Sequence, residues 1–137
     1  QRGATARPDG YSILLHHIGM STIPTLSRRL AYDPVNGFET LGLVTEVPMT
    51  LVARRNFPAS NLAELVAVAR REREKLNYAN AGIGAASHLC GLLFQKALDT
   101  PFTTVPYRGT GPAMNDLVAG TVDLMCDQTT NTTEQIR

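Results

Sequence analysis

The residues best suited to chemistry lie in one stretch, Leu76 to Phe94, which reads LNYANAGIGAASHLCGLLF. It has the form of a short strand, a loop of small residues and a helix. Gly82 and Gly84 let the backbone bend tightly or approach a ligand closely, because neither carries a Cβ. Ala81, Ile83 and Ala85 complete the loop, and Ser87 and His88 open the helix. From Ala86 the apolar residues take helical spacing: Ala86, Leu89, Cys90, Leu93, Ala97. A unit of this kind aims unpaired backbone N–H groups out of the helix N-terminus. Those groups and the helix dipole favour an anion, whether phosphate, sulfate or carboxylate. Ser87 stands where a dinucleotide G-x-G-x-x-G would need its third glycine, and no G-K-[ST] follows. The bland alternative is an ordinary strand-to-helix turn.

No catalytic set accompanies the loop. Consecutive helix positions diverge by roughly 100°, so Ser87 and His88 do not form a nucleophile–base pair. There is no G-x-S-x-G elbow. Glu46, Glu64, Asp116 and Asp123 fall on different elements with no evident pairing. His88 is better placed to brace the loop by bonding its carbonyls. Tyr107 has an apolar body and a hydroxyl tip, which suits a pocket wall or simple packing beside Pro106. His16 and His17 are adjacent on an expected strand and point to opposite faces, so they do not suit one metal. No zinc-like spacing exists either. The site is therefore expected to need no metal and no cofactor.

Three loops surround that chemistry. The order from Leu41 is strand, helix, strand, helix, strand, helix, strand. Such alternation predicts an α/β fold, with a mostly parallel sheet and helices on both faces. Ligands in such sheets bind at the carboxyl ends of the strands. Ala81 to Ser87, Pro106 to Gly111 and Asp127 to Thr130 are all expected there, each with small or polar residues.

The elements follow from local signals. Tyr11 to Leu15 reads as a strand after the Pro8-Asp9-Gly10 turn. A short helix is expected over Thr25 to Leu30, ending before Tyr32-Asp33-Pro34. Leu41 to Val47 and Met49 to Ala53 are apolar runs hinged at Pro48: one broken strand or two paired ones. Ser60 is the expected N-cap of a helix with Leu62, Leu65, Val66 and Ala69 on one face. Phe102 to Val105 is the next strand. Its following helix is capped by Thr110 or Gly111, buries Met114, Leu117 and Val118, and stops at Gly120. Val122 to Cys126 is the last strand, and a final helix begins over 131–137.

Composition sets limits. The 137 residues are enough for one domain with a sizeable core. With 43% hydrophobic and 18% charged residues, the balance is that of a globular protein. A net charge of +1 gives no reason to expect nucleic acid. The run Arg70-Arg71-Glu72-Arg73-Glu74-Lys75 mixes signs and reads as a solvated helix end. No apolar run approaches the ~18 residues a membrane span needs. Cys90 and Cys126 are expected as buried free thiols, with a disulfide as the alternative. Gln1 is not an initiator methionine and Arg137 falls in a helical pattern, so a piece of a longer chain is expected.

Four segments together resemble the solute-binding proteins of tripartite tricarboxylate transporters, the Bug/TctC family. They are PDGYSILL, RRLAYDPVNGFETLGLVTEVPMTLVA, LNYANAGIGAASHLCGLLF and TTVPYRGTGPAMNDLVAGTVDLMCD. Five motifs occur in the family's order: P-D-G-Y, Y-D-P, G-x-G-x-x-S-H-L, V-P-Y-R-G and G-x-V-D. The resemblance covers nearly the whole chain. It implies one lobe of a type II periplasmic-binding-protein-like fold, in which two α/β lobes close around a ligand like a Venus flytrap. Residues 1–40 would be a remnant of the first lobe with the connecting segment. Residues 41–137 would be the second lobe, with hinges near His17 to Gly19 and Thr45 to Pro48. The family's other glycine-rich clamp loop, G-G-x-x-D, is absent here.

The implied function is a periplasmic receptor that captures a small carboxylate or amino-acid ligand. It would deliver that ligand to the membrane subunits of the transporter, and it would not be an enzyme. The implied ligand-binding residues are Ala81, Gly82, Ile83, Gly84, Ala85, Ser87, His88, Tyr107, Arg108 and Asp127. Ala85 replaces the hydroxyl residue usual in the family, so backbone N–H groups or Ser87 must compensate. Asp127 would suit a ligand amine and repel a carboxylate. Two other readings stand beside this one: a small α/β enzyme acting on an anionic substrate, and an isolated lobe that self-associates through its uncovered apolar surface.

Overall fold

A computed structural model describes residues 2–27 and 29–136. The chain divides into two compact units, residues 1–46 and 47–137.

Among its described residues the first unit holds one helix, α1 (Gly19–Leu26). The Ser21 hydroxyl donates to the Ile18 carbonyl at 2.7 Å, and the His17 Nδ1 accepts from the Gly19 N–H at 3.0 Å. The helix expected over Thr25 to Leu30 therefore begins six residues earlier and tolerates Pro24 inside it. Arg28, within that expected span, lies outside the described residues. Asp33 builds a turn just after the expected helix end. Its carboxylate accepts from the Val35 and Asn36 N–H groups and from the Asn36 amide, which holds its pKa below the usual range.

The strand expected at Tyr11 to Leu15 does not form, and Tyr11, Ile13 and Leu15 are 93, 77 and 74% exposed. Leu41 to Val47 is likewise unpaired. Both runs have β-type composition, but a strand exists only where a neighbour accepts its backbone hydrogen bonds. No described residue of this unit belongs to a strand.

The second unit is the α/β body. In chain order it contains β1 (Met49–Ala53), α2 (Leu62–Glu72), β2 (Asn77–Asn80), α3 (Ala86–Leu98), β3 (Thr103–Pro106), α4 (Thr110–Ala119), β4 (Leu124–Gln128) and α5 (Thr129–Ile136). The sheet order is β1-β4-β2-β3. β2 runs parallel to β3 (Asn77 opposite Thr103) and to β4 (Tyr78 opposite Leu124). Edge strand β1 is antiparallel to β4, with Met49 opposite Gln128. The mostly parallel sheet is as expected.

Strand side chains alternate between two cores. Tyr78, Leu124 and Cys126 join Leu65, Val68 and Ala69 of α2 on one face, where Cys90 and Phe94 of α3 pack. Ala79 and Met125 join Ala113, Met114 and Leu117 of α4 on the other. Helices therefore cover both faces.

Several local expectations shift. Asn61, not Ser60, caps α2: its side chain accepts from the Glu64 N–H, and the Glu64 carboxylate reaches back to the Ser60 N–H. Val68 replaces Leu62 on the buried stripe, and Leu62 is exposed. Val118 is exposed, and Ala113 takes its place under α4. On α3 the buried face is Ser87 and Gly91, flanked by Cys90, Phe94 and Leu98, whereas Leu93 is exposed. A small face lets α3 lie close to the sheet, and a Cβ on Gly91 would overlap the Tyr78 ring. Gly109 caps α4 and Gly120 ends it in the left-handed region at φ 80°. Asp127 and Gln128 belong to β4, and Thr129 begins α5, so the expected loop Asp127 to Thr130 is absent: the pairing of Met49 with Gln128 draws it into the ladder. Arg137, in the expected last helix, lies outside the described residues, as does Gln1.

The cysteines are not free. Cys90 and Cys126 form a disulfide between α3 and β4, with Cα atoms 6.0 Å apart. The expectation of buried thiols fails because the phase of α3 turns Cys90 onto the sheet, over Cys126. Sequence spacing alone does not fix that phase.

Candidate functional site

The carboxyl ends of β2, β3 and β4 lie along one rim, because the three strands are parallel. Helices α3, α4 and α5 each begin there within a few residues of a strand end. Three helix N-termini thus converge on one edge. Each carries about half a positive charge in its unpaired N–H groups.

Hydrogen bonds tie the rim together. The Tyr107 N–H donates to the Asn80 carbonyl at 2.9 Å, and the Gly109 N–H donates to the Ala81 carbonyl at 3.1 Å. The Thr110 hydroxyl donates to Asp127 Oδ2 at 2.7 Å. The loops after β2 and β3 and the end of β4 are therefore one connected structure.

Four N–H donors of the β2–α3 loop find partners in the loop or on the residues that flank it. The Ala81 N–H goes to Ser87 Oγ at 2.9 Å, the Gly82 N–H to Asn80 Oδ1 at 2.9 Å, the Gly84 N–H to His88 Nδ1 at 3.2 Å and the Ala85 N–H to the Gly82 carbonyl at 3.1 Å. The first intrahelical acceptor, the Ala85 carbonyl, is taken by the Leu89 N–H at 3.0 Å. The N–H groups of Ala86, Ser87 and His88 precede it and are the orphan donors of the helix start. Gly82 at φ 123° and Gly84 at φ 84° supply backbone that other residues rarely adopt. A Cβ on Gly82 would also press on the Tyr107 carbonyl at 3.3 Å.

Side chains mostly brace this loop. Ser87 is 1% exposed, and its oxygen is turned inward to Ala81. His88 accepts an N–H instead of donating to a carbonyl as expected, which fixes Nδ1 as the unprotonated nitrogen. Ser87 and His88 make no nucleophile–base bond. Ile83 is exposed at the loop tip, Gly84 is buried and Ala85 caps α3 with no side-chain bond.

On the second loop, Tyr107 directs its hydroxyl to Asp116 Oδ2 at 2.6 Å. Donation to the carboxylate holds the phenol proton and raises its pKa to about 12. Arg108 is exposed and makes no ion pair with any described residue. At β4, Asp127 is buried, and its oxygens accept from Thr110, from the Gln128 N–H at 2.8 Å and from the Asn131 amide at 3.3 Å.

Asn80 and Tyr78 also shape the rim and were not singled out from the sequence; Thr110 was expected only as a helix cap and Asp116 only as a carboxylate without a partner. Asn80 carried a signal: an Asn two residues before a glycine commonly bonds that backbone. No group of His, Cys, Asp and Glu among the described residues could hold a metal ion. Among them, no helix is long and apolar enough to cross a membrane.

The arrangement offers neutral N–H donors, converging helix dipoles and one accessible guanidinium. It suits an anion held by hydrogen bonds.

The chain is similar to several known proteins. A UPF0065 protein from the TAR-I ttuE-ttuC' intergenic region of Agrobacterium vitis is 52% identical over 134 residues, spanning 98% of this chain and 39% of that protein. The solved periplasmic binding protein BugD is 56% identical with a TM-score of 0.87, over 98% of this chain and 45% of that one. MatC from Rhodopseudomonas palustris, solved with bound malate, is 39% identical with a TM-score of 0.85, over 99% of this chain and 47% of that one. The chain thus spans less than half the length of each of these proteins. The family model described as tripartite tricarboxylate transporter family receptor matches residues 1–137, and the chain belongs to that family.

Proposed function

We propose that the protein containing this chain is a periplasmic solute-binding receptor for a small carboxylate. It hands its ligand to the membrane subunits of a tripartite tricarboxylate-type transporter. Residues 41–137 serve as the second lobe, and residues 1–40 belong with the first lobe and its connection. The observation that carries this reading is the convergence of three helix N-termini on one rim, where the N–H groups of Ala86, Ser87 and His88 precede the first intrahelical acceptor and Arg108 lies on the next loop. The malate-bound relative supports a carboxylate as the anion. The receptor family sets the enzyme reading aside, and the inward-turned Ser87 hydroxyl agrees.

In this role the loop residues divide. Gly82 and Gly84 shape the backbone, with Ala81 and Ala85 held inside the loop and Ile83 at its tip. Ser87 and His88 brace it, and their own N–H groups bind. Arg108 adds charge, Tyr107 fixes the loop that carries Arg108, and Asp127 anchors α4 and α5. A thermal-shift screen of the full-length protein against mono-, di- and tricarboxylates and amino acids tests the proposal. A ligand at about a hundredfold over its Kd should stabilise the native state by roughly 2.7 kcal/mol. Arg108→Gln should reduce the shift for every carboxylate. No shift with any acid would overturn the reading.

A further inference from the structure

We infer that Tyr78 is a positioning residue of the ligand site, its buried hydroxyl joining the first turn of α3 to the end of β4. This rests on the carboxylate reading above and names the device that holds its donors in place. Tyr78 lies in the middle of the rim sheet and is 0% exposed. Its hydroxyl donates to the Ser87 carbonyl at 2.8 Å and accepts from the Cys126 N–H at 3.0 Å. Ser87 sits among the three orphan donors of α3, and Cys126 immediately precedes Asp127. One oxygen therefore ties the anion loop to the strand that carries Asp127.

The geometry around that oxygen is tightly determined. Gly91 leaves room for the ring directly under α3, and the Phe102 ring stacks on it with centroids 6.4 Å apart. Both hydrogen bonds together require a neutral phenol, and burial raises its pKa in that direction. The Cys90–Cys126 disulfide makes the same α3-to-β4 connection one step further along the helix. Ser87 is thus held from below by Tyr78, while its side chain holds Ala81. Orphan N–H donors bind well only when their directions are fixed before the ligand arrives.

Tyr78→Phe keeps the ring and removes the bridge. It leaves the Cys126 N–H without this acceptor and frees the start of α3. The control is Val68→Ala, which trims the same core from α2 and leaves both hydrogen bonds of the Tyr78 hydroxyl in place. Both variants are made in the full-length protein and studied well below their Tm. Affinity is read by calorimetry with malate and with any acid that shifts the wild type, and amide hydrogen exchange is read at Leu89, Cys90 and Gly91. Tyr78→Phe should weaken binding by roughly 2- to 30-fold and speed exchange in the first turn of α3. Val68→Ala should do neither at a comparable loss of stability. Equal affinity and equal exchange in Tyr78→Phe and wild type would overturn the inference, as would the same change in both variants. If the wild type binds no acid, the receptor reading falls. Unchanged exchange in Tyr78→Phe would then still refute the positioning role, and faster exchange at the α3 start alone would still support it.

Discussion

Removing the Cys90–Cys126 disulfide should be the most damaging conservative change available to this fold. The bond closes a loop with a sequence separation of 36 residues. The chain-entropy relation puts the stabilisation between the ~3 kcal/mol of a 15-residue loop and the ~4.7 kcal/mol of a 100-residue loop, at about 3.8 kcal/mol. Cys126 is 2% exposed, so its sulfur also fills core volume. Stability for a domain is about 5–15 kcal/mol in total, so the loss takes a large share of it. For a unit of 60–100 residues it lowers Tm by roughly 15–30 °C. The assay is urea denaturation of the full-length protein, followed by circular dichroism, with wild type beside the Cys90→Ala/Cys126→Ala double variant. Thiol titration of wild type in denaturant without reductant should find no reactive thiol. Two titratable thiols, or a stability loss below about 1 kcal/mol, would refute the reasoning. A bond of this weight also fits an oxidising compartment and not a reducing one.

Gly91→Ala should destabilise by about 1–2 kcal/mol, since overpacking against the fixed Tyr78 ring outweighs the ~1 kcal/mol that alanine gains in a helix; a rise in Tm would mean the ring moves freely. Arg73→Gly should stabilise by roughly 0.5–2 kcal/mol, because Arg73 holds φ 53° and ψ −123° at the end of α2, a conformation only glycine adopts without strain; denaturant midpoints decide it. The phenol of Tyr107 should titrate at about 12 by its absorbance, and Asp116→Asn should return it towards 10. Its folded pKa is raised, so the contribution of this bond is complete below pH 10 and lost as pH climbs towards 12. Tyr107→Phe should remove that part of the alkaline decline, and an unchanged profile would discount the bond.

The parts legible in the sequence were those with local causes. The loop Ala81 to Ala85 announces itself through two glycines and a change of periodicity, and the stop at Gly120 through a left-handed cap. What escaped depended on partners distant in sequence. Cys90 and Cys126 meet only because α3 buries Ser87 and Gly91, and a Ser–Gly face gives no apolar signal. Gln128 became strand because Met49 lies opposite it, and Tyr11 to Leu15 did not because no described strand does. Likewise, Tyr78 looks like an ordinary core aromatic until the Ser87 carbonyl and Cys126 N–H are found on its oxygen.

The buried acid at the rim bears on how the site could favour anions. Asp127 lies among the helix starts, where a free carboxylate would cancel part of their positive field. Its oxygens instead take the Thr110 hydroxyl, the Gln128 N–H and the Asn131 amide. That pairing turns the acid towards a side chain at the start of α4, a side chain in the first turn of α5 and a strand N–H. The start of α3 has no such acid: Ala85 caps it without a side-chain bond, and Ser87 and His88 turn their acceptors to Ala81 and Gly84. Of the three converging helices, α3 is therefore the one whose first described turn makes no hydrogen bond to Asp127. Arg108 stands on the neighbouring loop with no described acid to neutralise it. A ligand carboxylate at α3 would then meet N–H donors with no bonded acid beside them, which is why changes at Tyr78 or Ser87 should weigh more on affinity than changes at Asp127, whose loss should fall first on stability.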